Sequence, residues 1–255
     1  MVFVLPAFPF KSKNKVKKVL GDLPDKAEEL ALENLARLEE EIVKIENARI
    51  RLIIALDGFT YSDIVEIESE KVIVYSQKIV ENYDHKPKRI EWFDFFEDKG
   101  KGEKIQILLD EKYSQTQNEI RREIDENQNT TKQYAELSRF WFDDLDEGNL
   151  SSRARERRAK EIALRMIARN RAYSKYLEEN FEGSIRLSIH KSPIEAERFW
   201  VNLIPESPFC NAPWHNVALK TSQGWKLVKK IQAITEGAKL IYENGIPSHF
   251  EQVVK

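Results

Sequence analysis

The sequence predicts an α/β fold, and three observations support this prediction. Residues 50–56 form a nearly continuous aliphatic run, which is typical of a strand buried on both faces of a parallel sheet. Helical and strand-like patterns alternate through the first half of the chain, as they do in α/β proteins. After residue 184 the pattern changes to short strand-like segments separated by turn residues, so we expect a β-rich C-terminal extension.

Local periodicity predicts the elements of the first half. Residues 1–22 show neither helical nor strand periodicity but carry phenylalanines and prolines, so we expect an apolar arm that packs on the body. Apolar residues recur at helical spacing over 24–45, which predicts a helix. The buried strand ends at Asp57-Gly58, a pair typical of tight turns. A second helix is predicted over 69–83, with Ser69 as its N-cap, and a short strand over 90–93.

The second half begins with a polar, weakly periodic stretch. Residues 98–150 predict a helical insert with a mobile piece, in which Gly100 and Gly102 lie in a loop. The clearest helix starts at Ser151 or Ser152 and ends near residue 180. A strand over 184–190 follows, and further short strands could add antiparallel to the same sheet. We find no strong boundary, so we expect one domain over residues 1–255. The further strand candidates are 199–204, 217–219, 225–228 and 239–242.

Composition limits the class of protein. There are 41 Lys and Arg against 43 Asp and Glu, a formal net charge of −2, whereas nucleic-acid binders usually carry a basic excess. Cys210 is the one cysteine in the sequence, which excludes an intrachain disulfide and fits a reducing compartment. There is no apolar run of about 18 residues and no signal-peptide pattern. We therefore expect a cytoplasmic, globular protein that binds neither nucleic acid nor membrane.

The segment 184–190 predicts a strand with two unlike faces. Successive side chains of a strand point to opposite faces, so its isoleucines and leucine would share one face. Arg186, Ser188 and His190 would share the other, which places a fixed cation, a hydroxyl and a titratable imidazole together. This equipment suits a site that holds an anion and moves protons; the alternative is a solvated face of an edge strand.

A second candidate group follows the buried strand directly. Ligands of open α/β sheets bind beyond the carboxyl ends of the strands, which is where Asp57, Phe59, Tyr61 and Asp63 would lie. The alternative for Asp57-Gly58 is a simple tight turn.

His215 is a further candidate for a functional histidine. His215 follows Pro213-Trp214 and either faces a cleft or is a satisfied core histidine.

Dinucleotide, nucleoside-triphosphate and serine-hydrolase fingerprints are absent from the sequence. Paired cysteines and close histidine pairs are absent as well, so we predict no metal site.

Taken in order, these motifs resemble the isonitrile (isocyanide) synthase family of the pyoverdine and dityrosine pathways. The resemblance covers nearly the whole chain and is weakest over 98–150. Two positions depart from the family pattern: Lys191 replaces a usual proline, and Phe59 stands where a basic residue is frequent. The matching segments are 8–12 with 23–25, 57–63, 166–173, 185–190 and 213–216.

The resemblance implies a Rossmann-like core sheet with flanking helices and no bound cofactor or metal. It implies an enzyme that converts the α-amine of tyrosine or tryptophan to an isonitrile, with ribulose 5-phosphate as the carbon donor. By analogy, an Fe(II)/2-oxoglutarate-dependent oxygenase would be the pathway partner. Two alternatives stay open: an amino-acid N-formylating enzyme of the spore-wall dityrosine type, and a non-catalytic metabolite-binding relative.

This chemistry suggests roles for the sugar phosphate and for proton transfer. A phosphate dianion needs fixed cations, and Arg186 and Lys11 are the candidates. Imine formation and the later eliminations need groups that titrate near neutrality, for which His190 and His215 are suited.

The remaining roles concern orientation and the amino acid. Asp57 or Asp63 would bind the substrate ammonium or remove its proton, and Ser188 would orient the sugar. The substrate ring would pack against aromatic side chains, for which the candidates are Phe59, Tyr61 and Trp214.

Overall fold

The computed structural model describes residues 1–46, 50–83, 90–94, 99–145, 150–190, 198–204 and 212–253. Contacts along the chain divide the protein into two units. We call residues 1–57, 73–94 and 184–255 the sheet unit, and residues 58–72 and 95–183 the helical unit. The single domain expected from the sequence stays a prediction.

A five-stranded parallel sheet forms the centre of the sheet unit. Its strands are β1 (Val2–Ala7), β2 (Arg51–Leu56), β3 (Ile90–Phe93), β4 (Ile185–Ser188) and β5 (Arg198–Trp200), in the order β3-β2-β1-β4-β5. All neighbouring pairs are parallel. The chain runs outward from β1 to β3 and then returns to the other side of β1 at β4, so the topological switch point lies between β1 and β4. The α/β class is confirmed.

Strand β1 corrects the prediction that residues 1–22 contain no strand. Val4 and Leu5 are fully buried in the middle of the sheet. The pattern is hidden because Pro6 cannot donate to a strand ladder and therefore argues against a central strand. In the described register, β4 pairs with β1 at Phe3 and Val4 alone, whereas Pro6 pairs with Ala55 of β2. Pro6 therefore lies where β1 is paired on one side.

The connections between the first three strands confirm both predicted helices. Helix α1 spans Lys26–Glu46, and α3 spans Ser69–Tyr83, preceded by a short α2 over Gly58–Val65. Helix α1 begins with a capping box. Asp25 accepts a hydrogen bond from the Ala27 N–H, and Glu28 accepts one from the Asp25 N–H, both at 2.9 Å. This reciprocal pairing satisfies amide groups that the first turn of a helix leaves without partners.

The C-terminal part of the sheet unit forms a second, four-stranded sheet. Its strands β6 (Val217–Thr221), β7 (Gly224–Val228), β8 (Lys239–Glu243) and β9 (Ile246–Glu251) lie in the order β7-β6-β9-β8, and α8 (Lys230–Thr235) connects β7 to β8. The β-rich extension is confirmed, but these strands do not extend the central sheet as the sequence suggested. They bury their own core, which includes Val217, Leu219, Val228 and Phe250, so they need no place on the parallel sheet.

The helical unit contains helices over the stretch 98–150, as predicted, and confirms the long helix, whereas the insert as such stays a prediction. It contains α2, α4 (Lys99–Leu108), a π-helical turn (Leu109–Tyr113), α5 (Gln117–Glu126), α6 (Gln128–Asp144) and α7 (Ser152–Asn180). Ser151 caps α7 by accepting a hydrogen bond from the Ala154 N–H. The predicted mobile piece stays a prediction. Among the described helices, none has the length and apolar character needed to cross a bilayer.

One glycine expectation in this unit is wrong. Gly100 and Gly102 lie inside α4 rather than in a loop. The reason at Gly102 is packing, because a Cβ atom there would overlap the Phe59 ring on α2. A glycine therefore allows the two helices to approach closely.

We expect Gly102→Ala to destabilise the protein. Overpacking typically costs about 1–3 kcal/mol, against a gain of up to about 1 kcal/mol from helix propensity. Urea unfolding measures the difference. Gly21→Ala is the control, because no heavy atom lies within 4 Å of a Cβ built there. A gain in stability for Gly102→Ala would contradict the close approach of Phe59.

Candidate active site

The carboxyl ends of β2, β1 and β4 lie side by side at one edge of the sheet. Asp57 follows β2, residues 8–12 follow β1, and His190 lies two residues beyond β4. In the described register, β4 pairs with β1 up to Arg186, whereas its last two residues pair with β5 instead. The ladder between β1 and β4 therefore ends before the strands do. This end of the ladder lies at the switch point, which is where open α/β sheets bind ligands.

The segment after β1 brings a distant turn to the same edge. Residues Pro213–His215 form a 3₁₀ turn. The Phe8 ring packs edge-on against Trp214, with centroids 5.4 Å apart, and the Ser12 N–H donates to the Trp214 carbonyl at 2.9 Å. Phe8 has a φ of 59°, a left-handed conformation that costs energy in a non-glycine residue and is often found at functional sites.

This turn places Trp214 and His215 beside the end of β1. Trp214 is buried and His215 half-buried. Trp214 is therefore part of the packing that fixes the turn, and His215 keeps access to solvent.

Asp57 has the electrostatic character of a proton-transfer group. Burial raises the pKa of its carboxyl to about 7, although a hydrogen bond from its own backbone N–H opposes the shift. Its Oδ1 is buried and has no hydrogen-bond partner among the described residues. A buried carboxyl that titrates near neutrality is a candidate general acid or base.

Arg186 supplies a permanent positive charge within strand β4. It is 8% exposed and lies opposite Val4 in the ladder between β1 and β4. A guanidinium stays protonated in proteins and offers five N–H donors. Its burial beside the switch point makes it suitable for binding an anionic group.

The predicted strand over 184–190 ends two residues early, and this changes the position of His190. The Ser188 hydroxyl accepts a hydrogen bond from the His190 N–H at 3.1 Å and donates to the His190 carbonyl at 2.9 Å. A serine side chain can replace a strand partner in this way and terminate the strand. The expectation that the three polar residues alternate along one strand is therefore wrong. Ser188 holds the bend, and His190 lies beyond it.

His190 combines solvent access with a perturbed imidazole. Its side chain is exposed, yet the surrounding protein atoms desolvate the ring and lower its pKa. The open surface limits this effect, because water still reaches the ring. The shift favours the neutral imidazole, which can accept a proton.

Lys11 has partners that compete with the phosphate role predicted for it. Its ammonium lies 2.9 Å from Asp25, 2.7 Å from Glu28 and 3.3 Å from the Pro213 carbonyl. An ammonium has three N–H donors, so these contacts use all of them. The Lys11 side chain is also fully buried. Lys11 is therefore a weaker candidate for binding an anion than the sequence suggests.

Phe59, Tyr61 and Asp63 lie in the helical unit and are engaged there. The Asp63 carboxylate accepts hydrogen bonds from Arg165 and Arg169, each at 3.0 Å. The Tyr61 hydroxyl donates to the Asn170 side chain at 2.5 Å. Phe59 is buried against Gly102. These contacts give all three residues a structural role within α2.

Sequence reasoning missed Asp25 and Glu28. Both carboxylates contact Lys11, and Tyr75 donates to Glu28 at 3.0 Å. The spacing Asp-x-x-Glu at a helix start was the available signal, but it predicts only a capping box. A contact with a lysine 14 residues earlier cannot be read from that spacing.

Comparison with known proteins identifies the family. The model for "Pyoverdine/dityrosine biosynthesis protein" matches residues 1–241. The L-tryptophan isonitrile synthase AmbI2 of Fischerella ambigua is 32% identical over 254 residues, which cover 97% of this chain and 76% of that protein. The L-tyrosine isonitrile synthase of Xenorhabdus nematophila is 29% identical over 262 residues, with coverage of 97% and 76%.

A solved structure agrees with these sequence matches. The crystal structure of the PvcA protein from Pseudomonas aeruginosa superimposes with a TM-score of 0.89 at 29% identity, covering 99% of this chain and 86% of that one. The expected α/β core with flanking helices is therefore confirmed. The family resemblance found in the motifs is confirmed as well. With a family match over 241 of its 255 residues, the chain belongs to the pyoverdine/dityrosine biosynthesis protein family.

Proposed function

We propose that this chain is an isonitrile synthase. Its substrates would be tyrosine or tryptophan, whose α-amine it would convert to an isonitrile, and ribulose 5-phosphate, which would supply the carbon. The names of the relatives support this reaction class. The observation that carries the proposal is Asp57, a buried carboxyl with a pKa of about 7 at the carboxyl edge of the parallel sheet.

The proposed reaction begins with the substrate amine. Asp57 in its ionised form takes a proton from the ammonium, because an amine must be neutral to attack the sugar ketone. Attack and loss of water give an imine. Proton shifts, loss of phosphate and cleavage of both carbon–carbon bonds at the former ketone carbon then leave that one carbon on the nitrogen.

The other residues of the edge support these steps in the proposal. Arg186 binds the phosphate with charge-assisted hydrogen bonds, and His190 and His215 transfer protons. Trp214 and Ser188 hold the turn and the bend that carry those histidines. We leave Lys11 and Asp63 out of direct substrate contact because each is already ion-paired. An Fe(II)/2-oxoglutarate-dependent oxygenase is the proposed pathway partner, by analogy alone.

We expect the purified protein to form an isonitrile from ribulose 5-phosphate and one aromatic amino acid. Tyrosine and tryptophan would be incubated separately with uniformly ¹³C-labelled sugar phosphate and the products read by mass spectrometry. One labelled carbon should appear in the product. A labelled formamide, which is heavier by one water, would instead favour the N-formylating alternative. Binding of both substrates without a product would favour a metabolite-binding relative.

We expect Arg186→Met to weaken use of the sugar phosphate. Hydrogen bonds to charged groups contribute about 1.5–3 kcal/mol, so kcat/KM for ribulose 5-phosphate should fall roughly 10- to 100-fold. The matched control is Arg51→Met, because Arg51 lies at the amino end of β2 and is an exposed partner of Glu91. Equal losses of kcat/KM in both variants would show that Arg186 does not bind the phosphate.

We expect Asp57→Asn to change how stability depends on pH. In the folded protein the pKa of Asp57 is about 7, whereas the pKa of an aspartate in an unfolded chain is about 3.9. This contribution to stability is therefore fully present below about pH 4 and is lost as the pH rises through about 7. Relative to Asp57→Asn, the wild type should lose on the order of 2–4 kcal/mol across that interval.

Urea unfolding at several pH values from 5 to 8 measures this difference. The control is Asp22→Asn, because the Asp22 side chain is exposed and paired with Lys15. A constant offset between wild type and Asp57→Asn across the range would show that Asp57 does not titrate near neutrality.

A further inference from the structure

A buried cluster of ionisable groups lies next to the candidate site, within the sheet unit. It consists of Lys11, Asp25, Glu28 and Tyr75, and we call it the Lys11 cluster. The ammonium contacts both carboxylates, and the Tyr75 hydroxyl donates to Glu28. The side chains of Lys11, Asp25 and Glu28 are 0–4% exposed. The reaction proposed above does not use these groups directly.

The pKa values of Asp25 and Lys11 are both raised in this cluster. Two carboxylates share one ammonium, so the fully ionised cluster carries an excess negative charge in a buried place. Burial raises the pKa of Asp25 to about 7, and the neighbouring Glu28 adds to the shift while Lys11 opposes it. Burial alone would lower the pKa of Lys11, but the two carboxylates raise it. The ammonium is therefore kept charged, with all its donors engaged.

One bond connects this cluster to the candidate site. The third donor of Lys11 reaches the Pro213 carbonyl, which belongs to the turn that carries His215. The next residue along the chain, Ser12, donates its N–H to the Trp214 carbonyl. Helix α1 thus holds the turn through Lys11, because Asp25 and Glu28 fix the position of the ammonium at the first turn of that helix.

We propose that Asp25 and Glu28 are positioning residues, which act through Lys11 to hold the 213–215 turn and thereby place His215 at the carboxyl edge of the sheet. The inference rests on the proposed function for its consequence in catalysis. Stability alone explains the cluster poorly, since buried ion pairs are often no more stabilising than apolar side chains of the same shape. What the cluster provides is a fixed location for a donor, and displacement of a catalytic group by about 1 Å can cost about 100-fold in rate.

The test compares a charge-balanced variant with a matched control. Removing Lys11 alone would leave two buried carboxylates unpaired and could unfold the protein. The double variant Lys11→Met with Glu28→Gln removes one charge of each sign and also the bond to Pro213. The control is Glu29→Gln, which removes a carboxylate from the same helical turn, where Glu29 pairs with Lys26 instead. Urea unfolding shows whether each variant is folded.

Two readouts are taken on the folded variants. The first is the position of the His215 ring signals in nitrogen- and carbon-detected NMR spectra, which does not require turnover. The second is kcat, with KM for each substrate. In the double variant we expect shifted His215 signals and a 10- to 100-fold lower kcat, with each KM within about threefold of wild type. Glu29→Gln should match the wild type in both readouts.

The outcomes separate this inference from the proposed function. A folded double variant with unchanged His215 signals would overturn the positioning role, whatever its activity. If the wild type forms no isonitrile, the proposed function fails, and the NMR comparison alone decides whether the cluster positions His215. Changed signals with an unchanged kcat would overturn the catalytic consequence.

Discussion

The parallel pairing of β1 between β2 and β4 is the constraint on which the candidate site depends. Three parallel strands end at the same side of the sheet, so residues that are 46 or more positions apart in sequence, such as Lys11, Asp57 and His190, all follow strand ends on that side. The pairing is uneven. It runs the full length of β1 against β2 but stops at Val4 against β4. The ladder between β1 and β4 thus ends before the strands do, at the switch point where ligands of open sheets bind.

Burial at that edge determines which groups can do chemistry. A carboxyl without a compensating cation responds to burial with a raised pKa, as Asp57 does. The Asp63 carboxylate instead accepts hydrogen bonds from Arg165 and Arg169, so it is engaged in a structural contact. The same residue type therefore has opposite roles at two positions six residues apart, and the neighbours decide between them.

The sequence predicted elements well and side-chain partners poorly. The helices over 26–46, 69–83 and 152–180 follow from periodicity, because burial of one face repeats along the chain. The strand at 51–56 follows from its continuous aliphatic run. Strand β1 was missed because proline is rarely found in a central strand. Pro6 is tolerated because β4 pairs with β1 at Phe3 and Val4 and stops before Pro6. The end of β4 at Ser188 was missed because a local hydroxyl contact overrides the alternation.

Among the predicted site residues, the positions set by the strands are easier to predict from sequence than the positions that follow in a helix. Asp57 and Arg186 depend on sheet topology, which a buried aliphatic run already indicates. Phe59, Tyr61 and Asp63 depend on what α2 packs against, and that includes residues more than 40 positions later, such as Gly102 and Arg169. No local pattern carries that information.

Lys11 shows that the contacts of a residue must be known before a function can be assigned to it. A lysine after a strand end is equally suited to a phosphate or to a structural ion pair, and only its three acceptors decide between them. Once all three donors are engaged, the charge of Lys11 no longer serves an incoming anion, but its position becomes fixed. A fixed ammonium that bonds to the Pro213 carbonyl restricts the backbone that carries His215, which a flexible lysine could not do. The buried charges beside the sheet edge are then part of the site's geometry rather than of its contact with substrate.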